Sequence, residues 1–349
     1  MTALAYAAHL RIGEKRYRER FGLAYEQFRT GQRFQHRPGL TLSQQDNRDE
    51  CLDTLNQQML HFDAAFASHT EWGRCLMDST LTTRVVMGMT WKTFARKTQL
   101  IGFDEIALTS PVFGGDTIYA ESEILEIAEV LEDATAGRIK VRTRGLNQQG
   151  QPVATLVHDL LVERTNPDDS GPNGDLAERH ASHVQVAPGV FRERMGLFFE
   201  DVDVGETYEH RPGKTFSAED SARQTVRTLD QTEAVVDWYG ADRTRVGPPD
   251  VNPMHVLAVV TGMMTKTFSR IVANLAWQHV RFPEPVRDGD TVYAESTILG
   301  TRASQSRPGQ GIIHVRTTAH THDGRTVCGF ERKILVYGRR HGPYEAAGY

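Results

Sequence analysis

Gly31-Gln-Arg-Phe-Gln-His36-Arg37-Pro38-Gly39 returns 174 residues later as Gly205-Glu-Thr-Tyr-Glu-His210-Arg211-Pro212-Gly213. The same offset carries Thr54-Leu55-Asn56-Gln57 onto Thr228-Leu229-Asp230-Gln231 and Lys92-Thr93-Phe94 onto Lys266-Thr267-Phe268. It also carries Gly115-Asp-Thr-Ile-Tyr-Ala-Glu-Ser122 onto Gly289-Asp-Thr-Val-Tyr-Ala-Glu-Ser296, and no gap is needed from Gly31 to Val162. A register held over that length is a duplication, and self-similarity at a fixed period decides the architecture before any single element does. Working outward, residues 28–162 form the first unit and 202–338 the second. Residues 1–27 read as an N-terminal extension without a counterpart, 163–201 as a linker and 339–349 as a tail. The linker reading rests on the Pro, Gly, Asn and Asp that punctuate this stretch.

Within each unit the pattern predicts a mixed α+β fold. Ser43 and Ser217, each followed three residues later by an aspartate (Asp46, Asp220), are N-cap signals. They predict a helix from Gln44 to about Phe66. A second helix is expected from about Thr80 to Arg96, with Val85, Val86, Met89 and Phe94 on one apolar face. Val256, Val259, Val260, Met263 and Phe268 are its partner set, and core packing is the default for such a face. Strands follow over Thr117–Leu125, Ile139–Arg144 and Pro152–Val162, the last two joined by a hairpin turn at Gln148–Gln151. The helix needs a sheet face to bury it, so each unit should be an antiparallel sheet wrapped on one long helix. Two such units side by side would extend their sheets.

Composition narrows the function. The 349 residues carry a net charge of −5, with 24% charged and 39% hydrophobic residues and no long basic run. Nucleic-acid binding is disfavoured on that ground, because neutralising phosphates needs clustered Lys and Arg. Cys51, Cys75 and Cys328 are an odd number without a CxxC pair, which argues against a disulfide framework or a structural zinc and for a reducing cytoplasm. No run approaches the roughly 18 apolar residues of a membrane span.

The chemistry-bearing stretches are Asn56-Gln-Gln-Met-Leu-His61-Phe-Asp63, Gly73-Arg74-Cys-Leu-Met-Asp78-Ser79-Thr80, and Ser110-Pro-Val-Phe-Gly-Gly-Asp-Thr-Ile118 with its twin Glu284-Pro-Val-Arg-Asp-Gly-Asp-Thr-Val292. The element order resembles the hotdog fold, and these motifs resemble the MaoC-like, or hydratase 2, branch over 28–162 and 202–336. Within the branch the chain is most similar to mesaconyl-CoA hydratases, also called β-methylmalyl-CoA dehydratases. The resemblance implies a tandem double hotdog and a cofactor-free, metal-free hydro-lyase acting on a CoA thioester. It further implies a cytoplasmic homo-oligomer with no membrane or nucleic-acid partner. The reaction it implies is reversible hydration of mesaconyl-CoA to β-methylmalyl-CoA. A broader (R)-specific enoyl-CoA hydratase, a thioesterase and a non-catalytic acyl-CoA-binding protein stay open beside it.

Hydration of an enoyl thioester needs a proton-exchanging group and donors for the charge on the thioester oxygen. His61 suits the first task, with Asn56 orienting water. The Ser79 N–H, at the start of the second helix, suits the second. Asp63, Asp78 and Arg74 are candidate substrate-binding residues, with Arg84 a further candidate cation. Asn56 stands where many relatives have an acid, and Asp78 and Ser79 where His and Gly are usual. The second unit offers Val235 for His61 and Pro253, which has no N–H, for Ser79, so chemistry is expected in the first unit. It keeps Asp230 opposite Asn56. Asp250-Val-Asn252-Pro253-Met-His255 matches the branch's catalytic motif, but the repeat register puts it at a helix start. His320 and His322, beside a turn, read as surface, and His36-Arg37-Pro38-Gly39 with its twin as a shared structural turn.

Overall fold

The computed structural model describes residues 4–130, 134–165, 178–194, 196–228, 230 and 250–349. Three short strands open the chain: β1 (Leu4–Ala7), β2 (His9–Gly13) and β3 (Arg16–Glu19). The first unit follows with β4 (Arg33–Thr41), helices α1 (Gln44–Asp53), α2 (Met59–Phe62), α3 (Ala64–Ser68), α4 (Ser79–Met89) and α5 (Trp91–Phe94), then β5 (Lys97–Leu108), β6 (Thr117–Glu129), β7 (Ala136–Leu146) and β8 (Pro152–Glu163). Strands β9 (Ala181–Ala187) and β10 (Val190–Glu193) precede the second unit. That unit comprises β11 (Thr207–Thr215), α6 (Ala218–Arg227), α7 (Pro253–Met263), β12 (Ile271–Arg281), β13 (Thr291–Ala303), β14 (Gln310–Thr321) and β15 (Thr326–Tyr337).

Two sheets result, ordered β1-β9-β10-β4-β6-β7-β8-β5 and β12-β15-β14-β13-β11-β3-β2. In β6 and β13 buried and half-buried residues alternate, as expected where one face meets a helix. Val86 and Phe94 are fully buried on the α4–α5 face, as are Val260 and Phe268 within a few per cent in the second unit. Each such side chain contributes about 1.5–3 kcal/mol by leaving water. The helix lies so close to β7 that a Cβ at Gly145 would come within 2.5 Å of Val86. The architecture is the tandem double hotdog, one sheet on one helix in each unit.

The helix expected over 44–66 breaks. Only Asn47, Glu50 and Cys51 of α1 are buried, so no apolar face runs on to sustain it. Leu55 takes a positive φ of 60°, and the Asn56 N–H turns back to the Cys51 carbonyl. Strand β5 was absent from the sequence reading.

The regions read as extension and linker carry strands that cross between units. The hairpin β2–β3, ahead of the first unit, pairs parallel to β11 of the second, with Arg16 opposite Thr207. The hairpin β9–β10, ahead of the second unit, pairs parallel to β4 of the first, with Val190 opposite Arg33. These hairpins are also 174 residues apart, His9 matching His183 and Tyr17-Arg-Glu19-Arg20 matching Phe191-Arg-Glu193-Arg194. The repeat therefore begins at His9 instead of Gly31, and each unit is completed by the other's leading hairpin. The sheets meet where β1 runs into β2, at Ala8, whose N–H donates to the His180 carbonyl at 2.6 Å and whose carbonyl accepts the Arg20 N–H at 2.7 Å, and β5 and β12 each remain an outer strand.

Buried carboxylates lock the exchange. Glu193 accepts from His36 Nδ1 at 2.9 Å, Thr93 Oγ1 at 2.8 Å and the Arg37 N–H at 2.9 Å. Glu19 accepts from His210 at 3.2 Å, Thr267 at 2.6 Å and the Arg211 N–H at 2.8 Å. Burial would raise the Glu193 carboxyl, but His36 and Lys92 outweigh it and hold the group at about 2. The repeated His-Arg-Pro-Gly turns are thus structural sockets for these acids.

Candidate active site

Leu55 redirects the chain so that α2 runs beside the start of α4. His61, near the end of α2, is half-buried, and its Nδ1 lies 2.8 Å from the Leu76 carbonyl. A carbonyl can only accept, so Nδ1 carries the proton and Nε2 is left to exchange one. The His61 carbonyl is held by Asn47 Nδ2 at 2.8 Å and by Gln44 Nε2 at 2.5 Å. Asn47 is fully buried and is the hub of the site. It also donates to the Leu76 carbonyl at 2.9 Å and accepts the Asp78 N–H at 2.7 Å.

Asp78 is the N-cap of α4. Its Oδ1 accepts from the Thr80 N–H at 2.7 Å and the Thr80 hydroxyl at 2.8 Å, while Oδ2 accepts from Asn56 Nδ2 at 2.6 Å. Burial, at 2% exposure, pulls its pKa up, yet those three donors and the nearby His61 hold it below the ordinary aspartate range. The Asn56 Oδ1 accepts the Gln58 N–H at 2.9 Å. Ser79 is the first helical residue, and among the described residues nothing accepts a hydrogen bond from its N–H.

His61 and Ser79 open onto one cleft, whose walls include Trp72, Met77, Leu108 and Val153. A polar ring nitrogen and a helix N-terminus thus meet in a mostly apolar groove, to which Thr82, Thr109 and Ser110 add hydroxyls. That pairing can move a proton and stabilise developing negative charge within one small volume. Arg74 stacks on Phe113 at 3.9 Å beside this cleft and is exposed. Arg84 is engaged by both oxygens of Glu50, at 2.5 and 2.6 Å. Asp63 is exposed and caps α3 through the Phe66 N–H at 3.0 Å. Of the six residues singled out from sequence, His61, Asn56, Asp78 and Ser79 converge; Arg74 lies at the margin, and Asp63 has a capping job elsewhere. Asn47 was missed, although a buried amide one helical turn from Cys51 is the kind of signal that marks it.

The second unit has the equivalent cleft, lined by Val251, Asn252, Pro253, Phe282, Pro285 and Val327. Asn252 caps α7 through the Met254 N–H at 2.8 Å, and Pro253 follows at the first helical position. The Asp250–His255 motif therefore sits at the helix start, as the repeat register requires. Val235 lies outside the described residues. Among the described residues no three His, Cys, Asp or Glu are grouped to hold a metal, and no helix is long and apolar enough to cross a membrane.

A family model described as mesaconyl-CoA hydratase matches residues 5–185 and 189–348. A mesaconyl-CoA hydratase of Cereibacter sphaeroides is 30% identical over 240 residues, 64% of this chain and 66% of that one. The match thus spans about two thirds of that relative's length. A β-methylmalyl-CoA dehydratase of Chloroflexus aurantiacus is 24% identical over 315 residues, 85% of this chain and 88% of that one. Among solved structures, a conserved protein of Mycobacterium tuberculosis described as a double hotdog fold covers 90% of this chain and 99% of its own, at 18% identity and a TM-score of 0.39.

Proposed function

Since the chain belongs to the mesaconyl-CoA hydratase family, we propose that it is a hydro-lyase that hydrates mesaconyl-CoA to β-methylmalyl-CoA, reversibly, in the first unit's cleft. The observation that carries the reading is His61 and the unengaged Ser79 N–H lining one groove. Water's oxygen bonds to the β-carbon, and one of its protons passes to His61 Nε2. His61 then returns that proton to the α-carbon, so the imidazole ends neutral, as it began. The negative charge that gathers transiently on the thioester oxygen is met by the Ser79 N–H. Water adds as a whole, so the reaction itself calls for no oxidant or reductant. Asn56 orients the water, and Arg74 faces the substrate's free carboxylate, Arg84 being already paired with Glu50.

The rest of the reading is coarser. A CoA thioester is the partner, in a cytoplasm that suits three free, buried cysteines. A second copy of the chain packs on β5 or β12, whose Leu100, Ile101, Phe103, Ile106 and Trp277 are exposed. Long apolar edge strands left open invite uncontrolled pairing. The test is loss of enoyl-thioester absorbance with mesaconyl-CoA, beside crotonyl-CoA and a His61→Ala variant. Mesaconyl-CoA should be consumed and the variant should lose roughly 10²-fold or more. No turnover of mesaconyl-CoA, or an unimpaired variant, would sink the proposal.

A further inference from the structure

Positions 56 and 78 face each other in the first unit, as 230 and 252 do in the second, and each pair holds one acid and one amide. The two units hold them the opposite way round. In the first, Asn56 donates to Asp78 at 2.6 Å; in the second, Asn252 donates to Asp230 at 3.3 Å. Two acids there would repel, and two amides would remove the charge, so the pair keeps a single negative charge while its location moves between the two facing segments of the site. We infer that the acid of the active cleft has changed places with its amide: Asp78, in place of residue 56, is the positioning carboxylate for the proposed hydration. It acts on the attacking water through Asn56 and on His61 through its charge. The inference rests on the hydration reading.

The geometry separates this role from capping. Both Asp78 oxygens are occupied and the side chain is buried, so it does not touch substrate itself. Asn252 caps its helix through an N–H in the same place with no charge at all. An asparagine at 78 can therefore keep the helix start and lose only the charge. An ionised carboxylate is what remains there, because Thr80 and Asn56 donate to it.

The experiment compares mesaconyl-CoA hydration by wild type, Asp78→Asn, Asn56→Asp and the exchanged double variant Asn56→Asp/Asp78→Asn, with kcat, KM and pH–rate profiles taken apart and thermal melts in parallel. Asp78→Asn should lose kcat by roughly 10²-fold, within the range of a disabled acid–base group, with KM changed by no more than about threefold. Its pH–rate profile should change shape. The double variant, which rebuilds the second unit's arrangement, should regain at least tenfold over Asp78→Asn. A folded Asp78→Asn with wild-type kcat, or a loss that the exchange does not relieve, overturns the inference. Should Asp78→Asn fail to fold, the double variant decides alone: activity within about tenfold of wild type supports the exchange, and a folded, inactive double variant overturns it. A wild type that leaves mesaconyl-CoA untouched overturns the hydration reading and this inference with it, whereas wild-type turnover beside an unimpaired Asp78→Asn overturns the inference alone.

Discussion

Ser79→Pro writes the second unit's helix start into the first, and the structure indicates how much should change. Asp78 has φ −58° and ψ 131°, and Asn252, which already precedes a proline, has φ −54° and ψ 123°. The backbone before position 79 is thus already in the extended region that a following proline demands. At the first helical position a proline removes no helical hydrogen bond. The Ser79 carbonyl, which accepts from the Thr83 hydroxyl at 2.8 Å, is unaffected. Stability should therefore stay within about 1 kcal/mol of wild type, in the range of ordinary surface substitutions. What disappears is one N–H in the cleft. Removing a single oxyanion donor costs about 10²–10³ in kcat, or about 2.7–4 kcal/mol of barrier. The assay is the enoyl absorbance with mesaconyl-CoA, run with a Ser79→Ala control that keeps the N–H and should stay within a few fold of wild type. A folded Ser79→Pro with kcat within threefold of wild type would refute the oxyanion assignment.

Two further outcomes follow from the same geometry. Arg74→Gln should raise KM for mesaconyl-CoA by on the order of tenfold, the worth of one charged hydrogen bond, and leave crotonyl-CoA, which has no second carboxylate, nearly unchanged; equal effects on both substrates would remove Arg74 from carboxylate recognition. Acid should unfold the protein early. Burial, first of all, pushes His9, His158 and His183 down to about 4 and His180 to about 2, and His9 and His180 also face each other through Nδ1 atoms 3.2 Å apart. Unfolded imidazoles, near 6.5, take up protons that the folded ones refuse, so stability is full above pH 6.5 and falls as pH drops toward 4, by about 2 kcal/mol per histidine at pH 5. Glu193, at about 2 when folded, adds its loss only below about pH 4.5. Urea midpoints at pH 7.5, 6 and 5 measure this, and equal midpoints at 7.5 and 5 would contradict the buried neutral state.

Duplication, the α4 face and the long strands were legible because each is a repeated, local pattern. Val86 and Val260 sit one register apart and are both fully buried, and β6 and β13 alternate cleanly. Strand β5 was not legible: at an outer edge its Leu100, Ile101, Phe103, Ile106 and Leu108 follow no two-residue alternation, since neither face is fully covered. The crossing hairpins were hidden by their polarity. His9–Arg20 and His183–Arg194 share few residues, and the acid that makes each worth burying finds its histidine only across the unit boundary. At the candidate site, the family resemblance named His61, Asn56, Asp78 and Ser79, which lie together in the structure, but it could not give their hydrogen bonds. Whether Asp78 meets substrate or backs the site depends on Asn47 and Thr80, and those contacts exist only once α1 and α4 pack.

What the two units share and where they differ locates the constraints. The sockets for Glu19 and Glu193 are alike down to the donor set: a histidine, a threonine and the N–H of the arginine before a proline. Behind each histidine a serine and a threonine continue the chain, Ser122–Thr143 in one unit and Ser296–Thr317 in the other. Breaking one of these buried pairs would leave an uncompensated charge, costing about 3–5 kcal/mol, and would loosen both units at once because each acid arrives from the other unit's hairpin. The clefts carry no such mutual penalty. Pro253 for Ser79 is nearly neutral for the helix, and the exchanged acid and amide keep one charge per pair. On the proposed reading, chemistry is dispensable in the second unit while its sheet is indispensable to the first. Accordingly His210 and Thr267 of the second unit stay buried around Glu19, which arrives from the first unit's hairpin, while Pro253 stands where the first unit has the Ser79 N–H.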